Sequence, residues 1–212
     1  MGGDAVGIDL GIKDFAILSN STVYKNLNKT NKLRKLRKQL RRLQRKYARQ
    51  YQNYKQRLKE NRYERRATTD FNLTVTSTKI LKKYSRITNI LNDYQNKIIA
   101  NVVRTKPKYV AIEDLNVSGM MKNHHLSKAI QQEKFYRFRT RLIDKCKWLG
   151  IPVHLINTMY PSSKTCHSCG NVMKDLKLSD RIYRCPKCHY TEDRDINASL
   201  NIRDTENFEL VY

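Results

Sequence analysis

No stretch of the 212-residue sequence approaches the roughly 20 consecutive apolar residues of a membrane-spanning helix. Residues Met1 to Asp9 carry no basic segment leading into an apolar one, so they do not read as a secretory signal, and a cytoplasmic protein without membrane contact is expected. Acids are scarce too: 19 Asp and Glu stand against 43 Lys and Arg, a formal net charge of +24. That is far beyond the modest net charge that keeps a small domain soluble, and it calls for a polyanionic partner. Phosphate backbones fit best, because each neutralised phosphate releases counterions and the long-range field speeds encounter. In a reducing compartment the five cysteines stay thiols, so paired cysteines point to metal rather than to disulfides.

What is present is organised. The segment Ala5-Val-Gly-Ile-Asp-Leu-Gly-Ile-Lys-Asp-Phe-Ala-Ile-Leu-Ser19 holds two short apolar runs around Gly11-Ile-Lys-Asp14. This predicts a β-hairpin, with Val23 and Tyr24 opening a third strand. Only four residues precede the first strand, so nothing sizeable is expected N-terminal to it. From Lys25 to Arg66 there are 18 Lys/Arg against two acids, which puts +16 of the +24 in one fifth of the chain. Leu33, Leu36, Leu40, Leu43, Tyr47, Tyr51, Tyr54 and Leu58 recur there at helical spacing, a long amphipathic helix with Arg, Lys and Gln on its other faces.

After a polar break at Thr68-Thr-Asp-Phe-Asn72, Ile80, Tyr84, Ile87, Leu91, Tyr94, Ile98 and Val102 predict a second long helix folding back on the first. Lys106-Pro107 ends it, and Tyr109-Val-Ala-Ile112 reads as a buried strand. A helix with Ile130, Phe135, Phe138, Leu142, Cys146 and Leu149 in phase follows, stopped at Gly150, then a strand over Ile151 to Ile156. Residues Asp195 to Ile202 form a last short helix with Asp193 near its N-cap. This order gives an α/β fold with a mixed sheet.

Cys166-His-Ser-Cys169 and Cys185-Pro-Lys-Cys188 lie within the spacing window of a four-thiolate zinc site. Each pair forms a knuckle, and metal binding supplies the folding free energy that so short a segment lacks. A closed four-thiolate site leaves no open position, so this Zn2+ is expected to be structural. His167 and His189 are read as loop residues and Cys146 as a small core residue.

Acids at strand ends invite a second metal reading, because a buried carboxylate is costly unless paired or metal-bound. Asp9 sits between Ile8 and Leu10, Glu113 follows Ile112, and Asp195 opens the last helix. Three such acids at one sheet edge suit Mg2+, which favours oxygen ligands. Asp14 is read as a turn residue, Asp114 as facing away from Glu113, and Asp193 as a cap. Spacing alone does not choose among the six.

Three segments narrow the choice. Gly7-Ile-Asp-Leu-Gly-Ile-Lys-Asp-Phe15, Ile112-Glu-Asp-Leu-Asn-Val117 and Asp193-Arg-Asp-Ile-Asn-Ala-Ser-Leu-Asn-Ile202 resemble the three RuvC motifs of the transposon-encoded TnpB family and, more distantly, of type V CRISPR effector nucleases. Pro161-Ser-Ser-Lys-Thr-Cys166 is similar to that family's approach to its zinc ribbon. The resemblance covers nearly the whole chain. It implies an RNase H-like (RuvC) mixed sheet with a long inserted helical hairpin and a zinc ribbon: a nuclease core over 1–165 containing the hairpin 30–104, the ribbon over 166–190, and the third motif with a C-terminal helix over 191–212. It also implies Asp9, Glu113 and Asp195 as the catalytic, Mg2+-binding acids, with two ions, in an endonuclease that cuts DNA under an RNA guide.

The family's domains that precede or interrupt the nuclease region have no counterpart expected in this sequence, which reads as a C-terminal fragment, a split or truncated gene product, or a minimal relative with a partner chain supplying them. The rival reading is a nucleic-acid-binding remnant that no longer cleaves. A strand-transferring transposase would share fold and metals, but no separate signal for strand transfer is present. Within the basic helix, Arg41, Arg42, Arg45 and Lys46 are the expected nucleic-acid contacts, since charge of nearly one sign favours a bound polyanion. Tyr47, Tyr51 and Tyr54, in phase with the leucines, are expected to pack in the helix pair.

Overall fold

The apolar runs on either side of Gly11 pair as antiparallel strands β1 (Val6–Leu10) and β2 (Asp14–Leu18), and β3 (Val23–Lys25) extends the meander. In the computed structural model, residues 3–59, 66–122, 124–177 and 179–211 are described. β4 (Val110–Glu113) lies parallel to β1, β5 (Val153–Ile156) parallel to β4, and β8 (Phe208–Leu210) antiparallel to β5. The result is a mixed six-stranded sheet in the order β3-β2-β1-β4-β5-β8. Its middle strands are nearly continuous apolar runs, the pattern of strands covered on both faces: Val6, Ile8, Val110, Ala111, Ile112 and Val153 are all buried.

Two compact units divide the chain, one of Met1–Asn26 with Gln95–Tyr212 and one of Leu27–Tyr94. In the second, α1 (Asn31–Lys59) buries Leu33, Leu36 and Leu40 against Ile87 and Leu91 of α2 (Arg66–Arg104). The expected polar break at Thr68 to Asn72 is instead part of α2. Just beyond this stretch, hydroxyls bond along their own helix rather than stopping it: Thr74 Oγ1 donates to Asp70 O over 3.0 Å and Thr78 Oγ1 to Thr74 O over 2.9 Å.

In the first unit the helix expected from Ile130 to Leu149 is two helices, α4 (His124–Glu133) and α5 (Phe135–Trp148). Lys134 between them is left-handed at φ 54°. Tertiary bonds fix this break: Glu133 O accepts from Gln95 Nε2 over 2.8 Å, and the Glu133 carboxylate accepts from Asn26 Nδ2. A short α3 (Val117–Met121) precedes them. Strands β6 (Ile182–Arg184) and β7 (Thr191–Asp193) pair as a separate two-stranded sheet, and α6 (Arg194–Asp204) follows directly. The tail beyond α6 adds β8, which the sequence does not suggest. His154 of β5 stacks between Tyr109 and Phe208, with ring centroids 4.2 and 3.7 Å away, and this seats the edge strand. Among the described residues no helix is long and apolar enough to cross a membrane.

Candidate active site and cysteine cluster

Side chains alternate across a strand, so Gly7 and Asp9 share one face of β1, as do Ala111 and Glu113 on β4. That face is covered by α6. Ala111 is buried with Ile156 and Ile202 of α6, and a Cβ added at Gly7 would stand 2.1 Å from Ser199 O and 2.7 Å from Arg203 N. Only glycine allows α6 to lie so close to β1. The parallel register sets Gly7 opposite Ala111 and Ile8 opposite Ile112, which puts Asp9 beside Glu113 one step on. Asp195 enters from the first turn of α6, where Asp193 is the N-cap: its carboxylate accepts from the N–H groups of Asp195 (2.9 Å) and Ile196 (3.3 Å).

These acids act on one another. Asp9 keeps some exposed surface, yet protein atoms crowd its carboxylate. Its pKa is held well above the ordinary carboxylate range, first by burial, then by the charges of Glu113 and Asp195; Arg194 opposes the shift and Asp193 adds to it. Burial likewise raises the Glu113 pKa, against the pull of a hydrogen bond from Ser162. Arg181 Nη1 lies 3.8 Å from Asp195 Oδ2. The remaining acids have other partners. Asp114 is ion-paired with Arg139. Asp14, expected in a turn, is the first residue of β2, buried and 3.2 Å from Lys25 Nζ, because it pairs with Lys25 of β3.

The four thiols of Cys166, Cys169, Cys185 and Cys188 gather with every sulfur within 4.8 Å of the others, a cluster that could hold a metal such as zinc. Cys166 and Cys188 are 3.6 Å apart, as are Cys169 and Cys185. Sulfurs about 2.3 Å from a central ion at tetrahedral corners would be separated by nearly this much. The two knuckles match: Gly170 N donates to Cys166 O and His189 N to Cys185 O, with Gly170 at φ 71° and His189 at φ 60°. His189 therefore closes a knuckle as Gly170 does, and neither His167 nor His189 belongs to the cluster. Tyr183, fully buried, packs against Cys166 and Cys185 and forms the core of this piece. Burial opposes ionisation of the Cys185 thiol, yet the backbone N–H groups of Cys188 and Lys187 pull it down to about 6. Cys146 is buried on α5, as expected, and burial pushes its thiol up to about 11.

On α1, Arg41, Arg42, Arg45 and Lys46 are all exposed. The buried cluster reaches only to Leu40 on this helix. Beyond it Tyr47, Tyr51 and Tyr54 form a ladder along α1, with centroids 6.2 and 6.5 Å apart and Lys55 Nζ 4.9 Å from the Tyr51 ring. Tyr51 is 40% exposed and Tyr47 and Tyr54 are half-buried, and none of the three belongs to the buried leucine cluster.

Sequence reasoning passed over Ser162, Asn197 and Asn201, buried residues that join the acids to the cysteine segment by hydrogen bonds. The available signal was the spacing of the two asparagines, four apart on one helix face.

Comparison with known proteins decides the lineage. The OrfB_IS605 family model, described as "Probable transposase", matches residues 1–124, more than half the chain. The chain belongs to the OrfB_IS605 family. In this family member a second model, the Cas12f1-like TNB domain, matches residues 135–202, which include all four clustered cysteines. It is 31% identical over 213 residues to "Putative RNA-guided DNA endonuclease InsQ" of Escherichia coli (strain K12), covering 93% of this chain and 48% of the relative. It is 37% identical over 129 residues to "TnpB-like protein L79" of Acanthamoeba polyphaga mimivirus, covering 58% of this chain and 24% of the relative. The OrfB_IS605 chain thus spans about half the length of the first of these relatives and about a quarter of the second. A solved cryo-EM structure of a Cas12f1–sgRNA–target DNA complex shares its fold, with TM-score 0.57 at 19% identity, over 94% of this chain and 49% of that one.

Proposed function

We propose that this chain is the RNase H-like, RuvC-type nuclease core of an RNA-guided DNA endonuclease, with Asp9, Glu113 and Asp195 as its catalytic acids and a zinc ribbon over the four cysteines. The observation that carries this reading is the meeting of three acids from β1, β4 and α6, one of them held well above its ordinary pKa by burial and by the other two. Such crowding is unfavourable without a cation, and an all-oxygen donor set suits Mg2+. Asp9, Glu113 and Asp195 would hold two Mg2+ ions. When bound, Mg2+ supplies activation of water and stabilisation of charge on the leaving oxygen in phosphodiester hydrolysis. Arg181 and Arg194 stand beside the acids with positive charge to meet the phosphate. The sulfur-only donor set suits Zn2+ in a closed, structural role.

Guide RNA and DNA are the proposed partners, by likeness to the relatives named for that activity and from the charge of +24. Exposed Arg41, Arg42, Arg45 and Lys46 would contribute phosphate contacts. The test is cleavage of labelled single- and double-stranded DNA with Mg2+ added or withheld, co-purifying RNA kept or removed, and Asp9→Ala as control. Metal-dependent cutting lost in Asp9→Ala supports the reading. Binding without cutting under every condition favours the non-cleaving remnant instead.

A further inference from the structure

Ser162 lies outside the acid set and against one of its members. Its hydroxyl donates to Glu113 Oε1 over 2.5 Å, within the range of an O–H group bonded to a carboxylate. Ser162 is 6% exposed, so little water competes for this bond. Its own backbone is held in turn. Asn201 Nδ2 donates to Ser162 O over 2.8 Å and to Thr165 O over 2.7 Å. One turn earlier on α6, Asn197 Nδ2 donates to Thr165 O over 2.8 Å, and its Oδ1 accepts from His167 N over 3.1 Å.

Both asparagines are buried, where an amide is kept only if its donors and acceptor are satisfied. Four residues apart, they present one helix face to residues 162–167, the segment that leads into Cys166. The same helix carries Asp195 in its first turn. Two acids of the site are therefore referenced to one element: Asp195 by the chain itself, Glu113 through Ser162. A free glutamate side chain would sample several rotamers, and ligand orientation by such partners governs how tightly a metal binds.

We propose that Ser162 is a positioning residue of the acid site, holding Glu113 in the orientation that receives a divalent cation, and that Asn197 and Asn201 hold Ser162 in place by clasping the segment before the cysteine cluster. This rests on the metal-binding reading above. It also gives the cysteine cluster a role at the acids, since the clasped segment is continuous with its first knuckle.

The probe is Mn2+, titrated into the zinc-loaded 212-residue chain, with free Mn2+ read by electron paramagnetic resonance. Asp9→Ala is expected to abolish binding at the acids. Ser162→Ala is expected to weaken it about 10-fold or more, and Ser162→Thr, which restores a hydroxyl, to recover it to within about 3-fold of the parent. Zinc content and Tm should stay unchanged in both serine variants. Ser162→Cys, a weak donor of similar volume, reports the same loss should the alanine variant fail to fold. Parent-like Mn2+ affinity in Ser162→Ala, or a loss that threonine does not recover, overturns the positioning role while leaving the metal site intact. Equal Mn2+ binding by the parent and Asp9→Ala overturns the metal reading and this proposal with it.

Discussion

Asp9 and Glu113 stand side by side near the ends of neighbouring parallel strands, one register step beyond the Ile8–Ile112 pair. Neighbouring strands lie about 4.8 Å apart, so two carboxylates on one face at the same level repel each other unless something positive intervenes. The sheet register itself brings these two acids together, and α6, pressed against β1 at Gly7, adds Asp195 to them.

The close approach at Gly7 makes a direct expectation. Gly7→Ala would drive a methyl group into the backbone at Ser199 O and Arg203 N. Neither is a flexible side chain, so α6 must move. A loss of about 3 kcal/mol is expected from overpacking of this kind, measured by urea unfolding. An unchanged midpoint would contradict the packing argument.

Cys185→Ser removes one corner of the thiol cluster. Metal content is expected to fall from about one zinc per chain to near none. Residues 166–190 should become sensitive to protease, while the six-stranded sheet keeps its far-UV circular dichroism. Unchanged zinc content with unchanged folding would refute the assignment.

Replacing Arg41, Arg42, Arg45 and Lys46 together by alanine leaves the buried leucines of α1 untouched, because all four are exposed. Affinity for duplex DNA should fall, and the slope of log affinity against log salt should shrink by about 3 to 4 if each contacts a phosphate. An unaltered slope would remove these residues from the interface.

The strands and the basic helix were legible because their signals are local: short apolar runs at β1, β2, β4 and β5, and leucines at helical spacing in α1. The cysteine cluster was legible for the same reason, two matched pairs at a known spacing. The acids were legible as candidates only. Choosing Asp9, Glu113 and Asp195 over Asp14, Asp114 and Asp193 depends on strand register and on where α6 lands, which no local pattern encodes, and the family resemblance supplied that choice.

What was missed is tertiary in origin. Lys134 takes a left-handed conformation because Asn26 and Gln95 bond to Glu133. Phe208, Glu209 and Leu210 of β8 are all exposed and show no alternation to announce a strand. Tyr47, Tyr51 and Tyr54 keep the phase of the leucines, yet Tyr51 is exposed and the other two are half-buried. Ser162 is one hydroxyl in a polar stretch, and only its contact with Glu113 distinguishes it.

The most direct test of the central claim, that the three acids are assembled against their own repulsion in order to hold a cation, is thermal unfolding of the zinc-loaded parent and Asp9→Asn across pH, with Mg2+ added or withheld. The folded pKa of Asp9 lies above its unfolded value of about 3.9. The folded state therefore binds the proton more tightly, and without Mg2+ the parent should gain stability as pH falls from the raised folded value toward about 4. Asp9→Asn lacks this dependence, so the difference between the two proteins isolates it. At neutral pH without Mg2+, Asp9→Asn is expected to melt higher than the parent, and Mg2+ to raise the Tm of the parent alone. A lower Tm for Asp9→Asn without Mg2+, or an equal response of both proteins to Mg2+, would contradict the account.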